Sequence, residues 1–485
     1  MFQFAPPTVE WSAIAPMATV IVTGILALIL EFTRPRANND LIRATSLAGL
    51  LIAFALLLLN PRETTAFAGT VTIDPLARVG QMLVVAATAL VVLFSEGYLR
   101  RRGIPYGEFY PLLLWSAVGA MLLTVTSNLL VMFLGIEILS LALYVLAGMS
   151  RGDERSEESA LKYFLLGAFA TCFFLFGTVM LYGATGSLGL ERFGAVWAAD
   201  AEGDRLLLGA GFGLVFVGLA FKSSFVPFHQ WTPDVYQGAP TNVAAFMGTA
   251  AKFGPFVAVW RLLEATDAMK GIALPAVAVV AALTMTFGNL QALGQRDLKR
   301  LLGYSSIANA GYILAAIVAH FARPSNSDLQ VFVLFMLAYL VTTVGVFAVA
   351  SLGAQDGKEN ASLDALRGLS RRSPLAAFAL ALFVLSQIGI PPTAGFFGKL
   401  LVFQATAEGG YLWLGILLGL NSIVSVVYYF AILQAAYSPD PDEAGVETRR
   451  ASVSPAVAGT CVICLVGVIG LSVFIDPISA ALGLR

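Results

Sequence analysis

Residues 222–241 read KSSFVPFHQWTPDVYQGAPT and set a lysine, a histidine, an aspartate and three prolines inside an otherwise strongly apolar chain. Pro227, Pro233 and Pro240 have no N–H to extend a helical ladder, so a membrane helix that reaches this stretch must break in it. A break at membrane depth is tolerated where it is buried in protein or lines a wet cavity, and such a place also keeps Lys222 away from lipid. The stretch therefore reads as part of an ion path, with the remaining chain as its walls.

The surroundings support that reading. Of 485 residues, 58% are hydrophobic and 12% charged, and the mean hydropathy is +0.81, values of an integral membrane protein. A spanning helix takes about 20 apolar residues. The apolar blocks give about 14 spans, near 10–32, 41–59, 76–99, 109–126, 128–148, 159–183, 206 into the break, 242–263, 272–293, 300–321, 328–353, 375–407, 411–437 and 452–480. A net charge of −1 argues against a nucleic-acid partner. Cys172, Cys461 and Cys464 lie in apolar runs, and the CVIC pair reads as small buried hydrophobes, since a metal or cluster site usually takes about four ligands. The start, MFQFAPPTVEW, has neither a basic region nor a small-residue cleavage site, so the first span is expected to persist.

Basic residues gather on alternate joints: Arg34, Arg36, Arg43, Arg100, Arg101, Arg102, Arg151, Arg155, Arg296, Lys299, Arg300, Lys358, Arg367, Arg371, Arg372, Arg449 and Arg450 on one side, against Arg62, Arg192, Arg205, Lys270 and Arg323 on the other. The first set is expected to face the cytoplasm, which puts both termini outside. The span near 375–407 is interrupted by GIPPTAG, with Pro391 and Pro392, so each half of the chain carries one broken helix. Paired broken spans point to a transporter built from repeats with its site near the midplane.

Charges inside spans name the site. Glu137 sits in FLGIEILSLALYVLAG, Lys222 precedes the first break, Lys252 lies in TAAKFGPFVAVW and Lys399 follows the second break in FFGKLLVF. Each such group costs about 2.5–3.5 kcal/mol at a helix centre, so all are expected to face inward. Three lysines against one acid do not balance, which argues against a fixed ion pair. Burial disfavours an ammonium and a nearby carboxylate restores it, so moving the acid relative to the amine switches proton affinity. Glu137 with Lys222 is the expected input pair, with Lys252 as relay and Lys399 as exit. His229 is a candidate relay or a helix-stabilising donor, and Lys162 a candidate relay or an interfacial lysine. Asp234 is expected to serve a turn or cap and His320 to be interfacial; Ser140 and Tyr144 share the Glu137 face. Moving a charge against a membrane potential needs about 2.3 kcal/mol per 100 mV, and no phosphate loop, cluster motif or dinucleotide fingerprint in the sequence supplies it.

The strings GIEILSL (135–141), KSSFVPFHQWTPDVYQGAPT (222–241), QRDLKRLLGYSSIANAGY (295–312) and GIPPTAGFFGK (389–399) resemble the N-subunit family of the proton-pumping NADH:quinone oxidoreductase, respiratory complex I, which is related to Mrp-type antiporter subunits. The resemblance covers nearly the whole chain, and TPDVYQGAPT favours the N type over its L and M relatives. It implies an all-α polytopic membrane protein of 14 helices with two inverted five-helix repeats, each containing a broken helix. The implied segments are a three-helix start over 1–107, the first repeat over 108–265, the second over 266–438 and a last helix over 439–485. The family's proton-translocating glutamate and lysines fall on Glu137, Lys222, Lys252 and Lys399, while Asn309 stands where relatives often carry a titratable histidine. No cofactor is implied in this chain. NADH, FMN, iron–sulfur clusters and quinone are expected in partner subunits, with an M-type antiporter-like subunit, small membrane subunits and the lipid of a bacterial cytoplasmic membrane as neighbours. A free-standing or Mrp-type sodium/proton antiporter is the rival reading, and a spacer that moves nothing is the plainest one.

Overall fold

The computed structural model describes residues 10–33, 39–60, 62–105, 107–199, 202–324, 328–355, 357–439, 453–475, 477, 480 and 482. Arg34, Arg36, Arg449 and Arg450, counted above among the basic joints, lie outside the described residues. The first part of the chain folds into α1 (Trp11–Thr33), α2 (Asn39–Leu59), a hairpin of β1 (Thr64–Ala66) and β2 (Val71–Ile73), and α3 (Pro75–Arg102). Next come α4 (Phe109–Thr124), α5 (Leu129–Ala147), α6 (Glu154–Thr185), α7 (Phe193–Ala198), α8 (Glu202–Ser223), α9 (Trp231–Gly238), α10 (Thr241–Gly248) and α11 (Ala250–Glu264). They are followed by α12 (Lys270–Ala292), α13 (Leu298–Ala322), α14 (Asp328–Ala350) and a second hairpin of β3 (Ala354–Gln355) and β4 (Lys358–Glu359). The chain closes with α15 (Leu369–Arg372), α16 (Pro374–Ile388), α17 (Ala394–Glu408), α18 (Leu412–Tyr437) and α19 (Pro455–Val473). Among the described residues, 12 helical stretches are long and apolar enough to cross a membrane, α10 with α11 counted as one, and α4 and α16 are shorter apolar helices.

Local chemistry sets many helix starts. Asp74 caps α3 by accepting from Ala77 N at 2.8 Å, with Pro75 at the first helical position, and Asn128, Asp153, Asp297 and Ser454 cap α5, α6, α13 and α19 in the same manner. Helices in hydrocarbon approach closely through small residues. A Cβ on Gly177 of α6 would stand 2.7 Å from Gly211 O of α8, and one on Gly311 of α13 would stand 2.5 Å from Met285 N of α12. These approaches bring α6 against α8 and α12 against α13. Most of Thr241–Glu264 and of α13 is buried, so the residues they carry form the centre of the molecule.

The breaks differ from expectation in two respects. Pro227, Pro391 and Pro392 are exposed on the surface of the chain, not buried. A proline has no donor to leave unpaired, and neighbouring polar groups are taken: Val226 N donates to Thr284 Oγ1 at 3.0 Å, and the carbonyls of Gln387 and Ile388 accept from Lys399 Nζ at 2.9 Å each. The span expected to run unbroken over 242–263 is also interrupted, at Thr249, whose φ of −125° and ψ of −91° separate α10 from α11. No proline marks this break, which places Lys252 in the first turn of α11.

Candidate functional site

Lys222, Lys252 and Lys399 are all buried, 3%, 1% and 8% exposed, and each is held by neutral groups. Lys222 Nζ, in the last turn of α8, donates to Ser140 Oγ at 2.8 Å and Tyr163 OH at 2.7 Å and lies 4.9 Å from the centre of the Tyr163 ring. Lys252 Nζ donates to Ser306 Oγ at 2.9 Å and Ser306 O at 3.3 Å. Lys399 reaches back from α17 to the free carbonyls at the end of α16, the negative end of that helix. Gly389, with φ of +90°, makes room for it: a Cβ there would stand 3.1 Å from Lys399 Cδ. Among the described residues, no carboxylate lies within 4.0 Å of any of the three amines.

Glu137 is half-buried on α5, where Oε1 accepts from Thr171 Oγ1 of α6 at 2.8 Å. Glu137 and Lys222, the expected input pair, form no direct ion pair, in keeping with the imbalance of charges. Ser140, one turn along α5, takes the ammonium instead, because α5 points Glu137 to its outer side and Ser140 inward. A cavity of about 10 Å³ beside Lys222 is lined by Ser140, Tyr144 and Thr171 among others, and Thr171 is the residue that donates to Glu137. Its size suits about one water.

Polar groups line much of the way from Lys252 to Lys399. Ser306 holds Lys252, and its neighbour Ser305 shares a hydrogen bond with Tyr429 of α18. Tyr429 OH donates to Gln387 Oε1 at 3.3 Å, and the Gln387 carbonyl accepts from Lys399. Lys222 and Lys252 are joined differently. Tyr163 stacks on Trp231 at 4.5 Å, Trp231 lies 6.3 Å from Tyr236, and Tyr236 OH accepts from Ser306 Oγ at 3.4 Å.

Residues 126–425 match the family described as NADH:quinone oxidoreductase/Mrp antiporter, TM. The chain is 40% identical over 457 residues to NADH-quinone oxidoreductase subunit N 1 of Sorangium cellulosum, covering 88% of this chain and 89% of that protein. It is 37% identical over 438 residues to subunit N of Trichlorobacter lovleyi, covering 90% and 89%. The chain belongs to the NADH-quinone oxidoreductase subunit N family. A chain of respiratory complex I from Thermus thermophilus with bound aureothin superposes with a TM-score of 0.80 at 36% identity, covering 97% of this chain and 99% of that one.

Within this subunit N fold the remaining candidates take distinct places. Lys162 is 41% exposed and pairs with Glu158 at 2.6 Å and Asp234 at 2.8 Å, so it sits in a surface ion-pair group, not in the buried row. Asp234 is more than a turn residue: it also accepts from Arg300, which joins α6, α9 and α13, and a cavity of about 330 Å³ opens beside this group. His229 is buried with its ring edge-on to Phe287 at 4.7 Å. His320 stacks on Trp260 at 4.4 Å. Asn309 donates to Ser305 O at 2.9 Å, steadying the residue that reaches Tyr429. Tyr163, Ser306, Tyr429 and Gln387 escaped the sequence reading because neutral side chains are common in membrane helices. The one signal was the run of small polar residues in YSSIANAGY.

Proposed function

We propose that this chain is a membrane-arm subunit of an NADH:quinone oxidoreductase that moves protons without redox chemistry of its own. One observation carries the reading: three lysines are buried with neutral partners only. A lysine kept for structure is normally paired with an acid, whereas an amine that must gain and lose a proton is served by hydroxyls and carbonyls that neither trap it nor leave it dry. Protons pass from the Glu137 side through Lys222 and Lys252 to Lys399. The order follows their succession in the fold: Ser140 couples the Glu137 helix to Lys222, and Ser306, Ser305, Tyr429 and Gln387 lie between Lys252 and Lys399.

The membrane-arm setting accounts for Glu137. A carboxylate on a helix face that also exposes Leu134, Ile138 and Leu141 would be costly against lipid, and a neighbouring membrane subunit covers it in the assembled enzyme. NADH, FMN, iron–sulfur clusters and quinone belong to other subunits, which supply the energy. Fourteen spans result when α4 and the broken pair α16–α17 are added to the 12 long stretches, and the arginine-rich joints lie in the cytoplasm of a bacterium with both termini outside. The test is Lys222→Ala and Glu137→Ala in the assembled complex, read as NADH:quinone turnover and protons moved per NADH. Both quantities should fall for both variants. Unchanged turnover and stoichiometry would reduce the chain to a spacer, and purification as a lone oligomer that exchanges sodium for protons would favour the antiporter.

A further inference from the structure

A second buried charge cluster lies on the arginine-rich side, outside the row of lysines. Glu359, on β4 of the strap that joins α14 to α15, has a side chain 8% exposed. Its Oε2 accepts from Tyr98 OH of α3 at 2.7 Å and from Lys299 Nζ of α13 at 3.2 Å, its Oε1 accepts from Thr241 Oγ1 at the start of α10, and Arg102 Nε of α3 lies 3.9 Å away. Tyr98 OH in turn accepts from Thr241 N at 3.0 Å, and Lys299 also donates to Ala239 O at 2.8 Å. One carboxylate from a loop thereby ties α3, α13 and the first residue of α10 together.

Two further features give the cluster a direction. A cavity of about 580 Å³ abuts it, lined by Thr241, Lys299, Glu359, Asp364, Arg367 and Arg372 among others, and has room for several waters. On the far side, α10 is 8 residues long and leads from Thr241 to the Thr249 break, immediately before Lys252. At about 1.5 Å per residue this helix is about 12 Å long. The cluster thus stands between a polar vestibule and the one lysine that belongs to both halves of the buried row.

Resting on the reading of Lys252 as a proton carrier, we propose that Glu359 is the residue through which this chain loads protons from the cytoplasmic vestibule, with Lys299 as the latch that keeps it ionised until the strap shifts. Burial by itself pushes the Glu359 carboxyl up, but the Lys299 ammonium, with the Thr241 and Tyr98 hydroxyls donating to it, outweighs burial and holds the group below the usual carboxylate range. When Lys299 withdraws, the largest of the influences that favour the anion goes with it, and the carboxyl's affinity for a proton rises. The carboxylate then takes a proton from vestibule water, and it becomes a carboxylate again when it gives that proton up toward the amine of Lys252. No other species is consumed.

The test uses the assembled complex in proteoliposomes, with Lys252→Ala measured in parallel. Glu359→Gln should slow proton uptake and the quinone reduction tied to it about tenfold or more, Glu359→Asp should be intermediate, and millimolar formate on the cytoplasmic side should restore a large part of the Glu359→Gln rate, because a small acid replaces the missing one. Wild-type uptake in Glu359→Gln overturns the proposal. So does a defect that ignores formate but is repaired by Glu359→Gln combined with Lys299→Met, since an anchor needs only matched neutral partners. If Lys252→Ala pumps normally, the underlying reading of the lysine row fails instead, whatever Glu359→Gln does.

Discussion

Lys252 is flanked by two junctions of opposite character. Toward Lys222 the space is filled by rings: Tyr163 stacked on Trp231 with planes 20° apart, then Tyr236. Toward Lys399 lie two adjacent serines, a tyrosine hydroxyl and a glutamine, with hydrogen bonds from Lys252 to Ser306, from Ser305 to Tyr429, from Tyr429 to the Gln387 side chain and from Lys399 to the Gln387 backbone carbonyl. Stacked rings exclude water and offer no lone pairs along their faces, whereas hydroxyls both donate and accept and so can hand a proton on by rotating. The second junction is thus the richer in groups that could hand on a proton. If the lysine row carries protons as proposed, the ring-filled first junction is where side chains must move, beside the Lys222 break and the Glu137 helix.

The comparison is broken most directly by cutting the polar junction. Tyr429→Phe with Gln387→Leu removes both links and should lower protons moved per NADH about tenfold to a hundredfold, while Tyr163→Phe, which keeps the ring and takes one of two acceptors from Lys222, should cost only about threefold. Equal losses in the two variants, measured by a pH-sensitive dye in proteoliposomes, would mean that the junctions are equivalent. Enlarging the ring junction should act in the opposite sense. Trp231→Leu removes the central ring and the bond that Trp231 Nε1 donates to Phe221 O at 2.8 Å, so water can reach Tyr236. Electron transfer should stay within about twofold while the proton yield falls by roughly half, through leak and not through block.

The two helix breaks carry the comparison into stability. In the first, Ser224 holds a left-handed φ of 64°; in the second, Gly389 holds 90°. Gly389→Ala adds strain of about 1–2 kcal/mol and crowds Lys399, whereas Ser224→Gly relieves about as much strain as it loses by giving up the bond from Thr232 Oγ1. Thermal inactivation of the purified complex should therefore be hastened by the first and scarcely changed by the second.

What was legible beforehand follows the same division. Composition, proline and ionisable residues stand out in an apolar sequence, so the helical membrane fold, the breaks near Pro227 and Pro391 and the residues Glu137, Lys222, Lys252 and Lys399 were all readable. The break at Thr249 was not, because it is made by dihedral angles at an ordinary threonine. The partners were hidden too: Lys222 meets Ser140 and Tyr163, which lie 82 and 59 residues away in sequence. Glu359 escaped because an acid in a polar joint looks solvated until the strap is seen folded over α10. Charge inside a span announces itself, while a neutral relay or a buried loop acid is recognised only by what surrounds it.

The finest expected effect concerns that strap and pH. Glu359 is held below the usual carboxylate range, so its contribution to anchoring is complete above the ordinary glutamate value of about 4.3 and is lost only as pH falls through the lower value it has in the fold. Amide exchange over residues 354–362 should accordingly be steady from about pH 8 to pH 5, once corrected for intrinsic rates, and rise only in stronger acid, below about pH 4. In Glu359→Gln the same amides should exchange faster from about pH 8 to pH 5 and meet the wild-type rate in stronger acid, with no acid transition of their own, because nothing at that position titrates. An acid transition that survives in Glu359→Gln would assign it to another group.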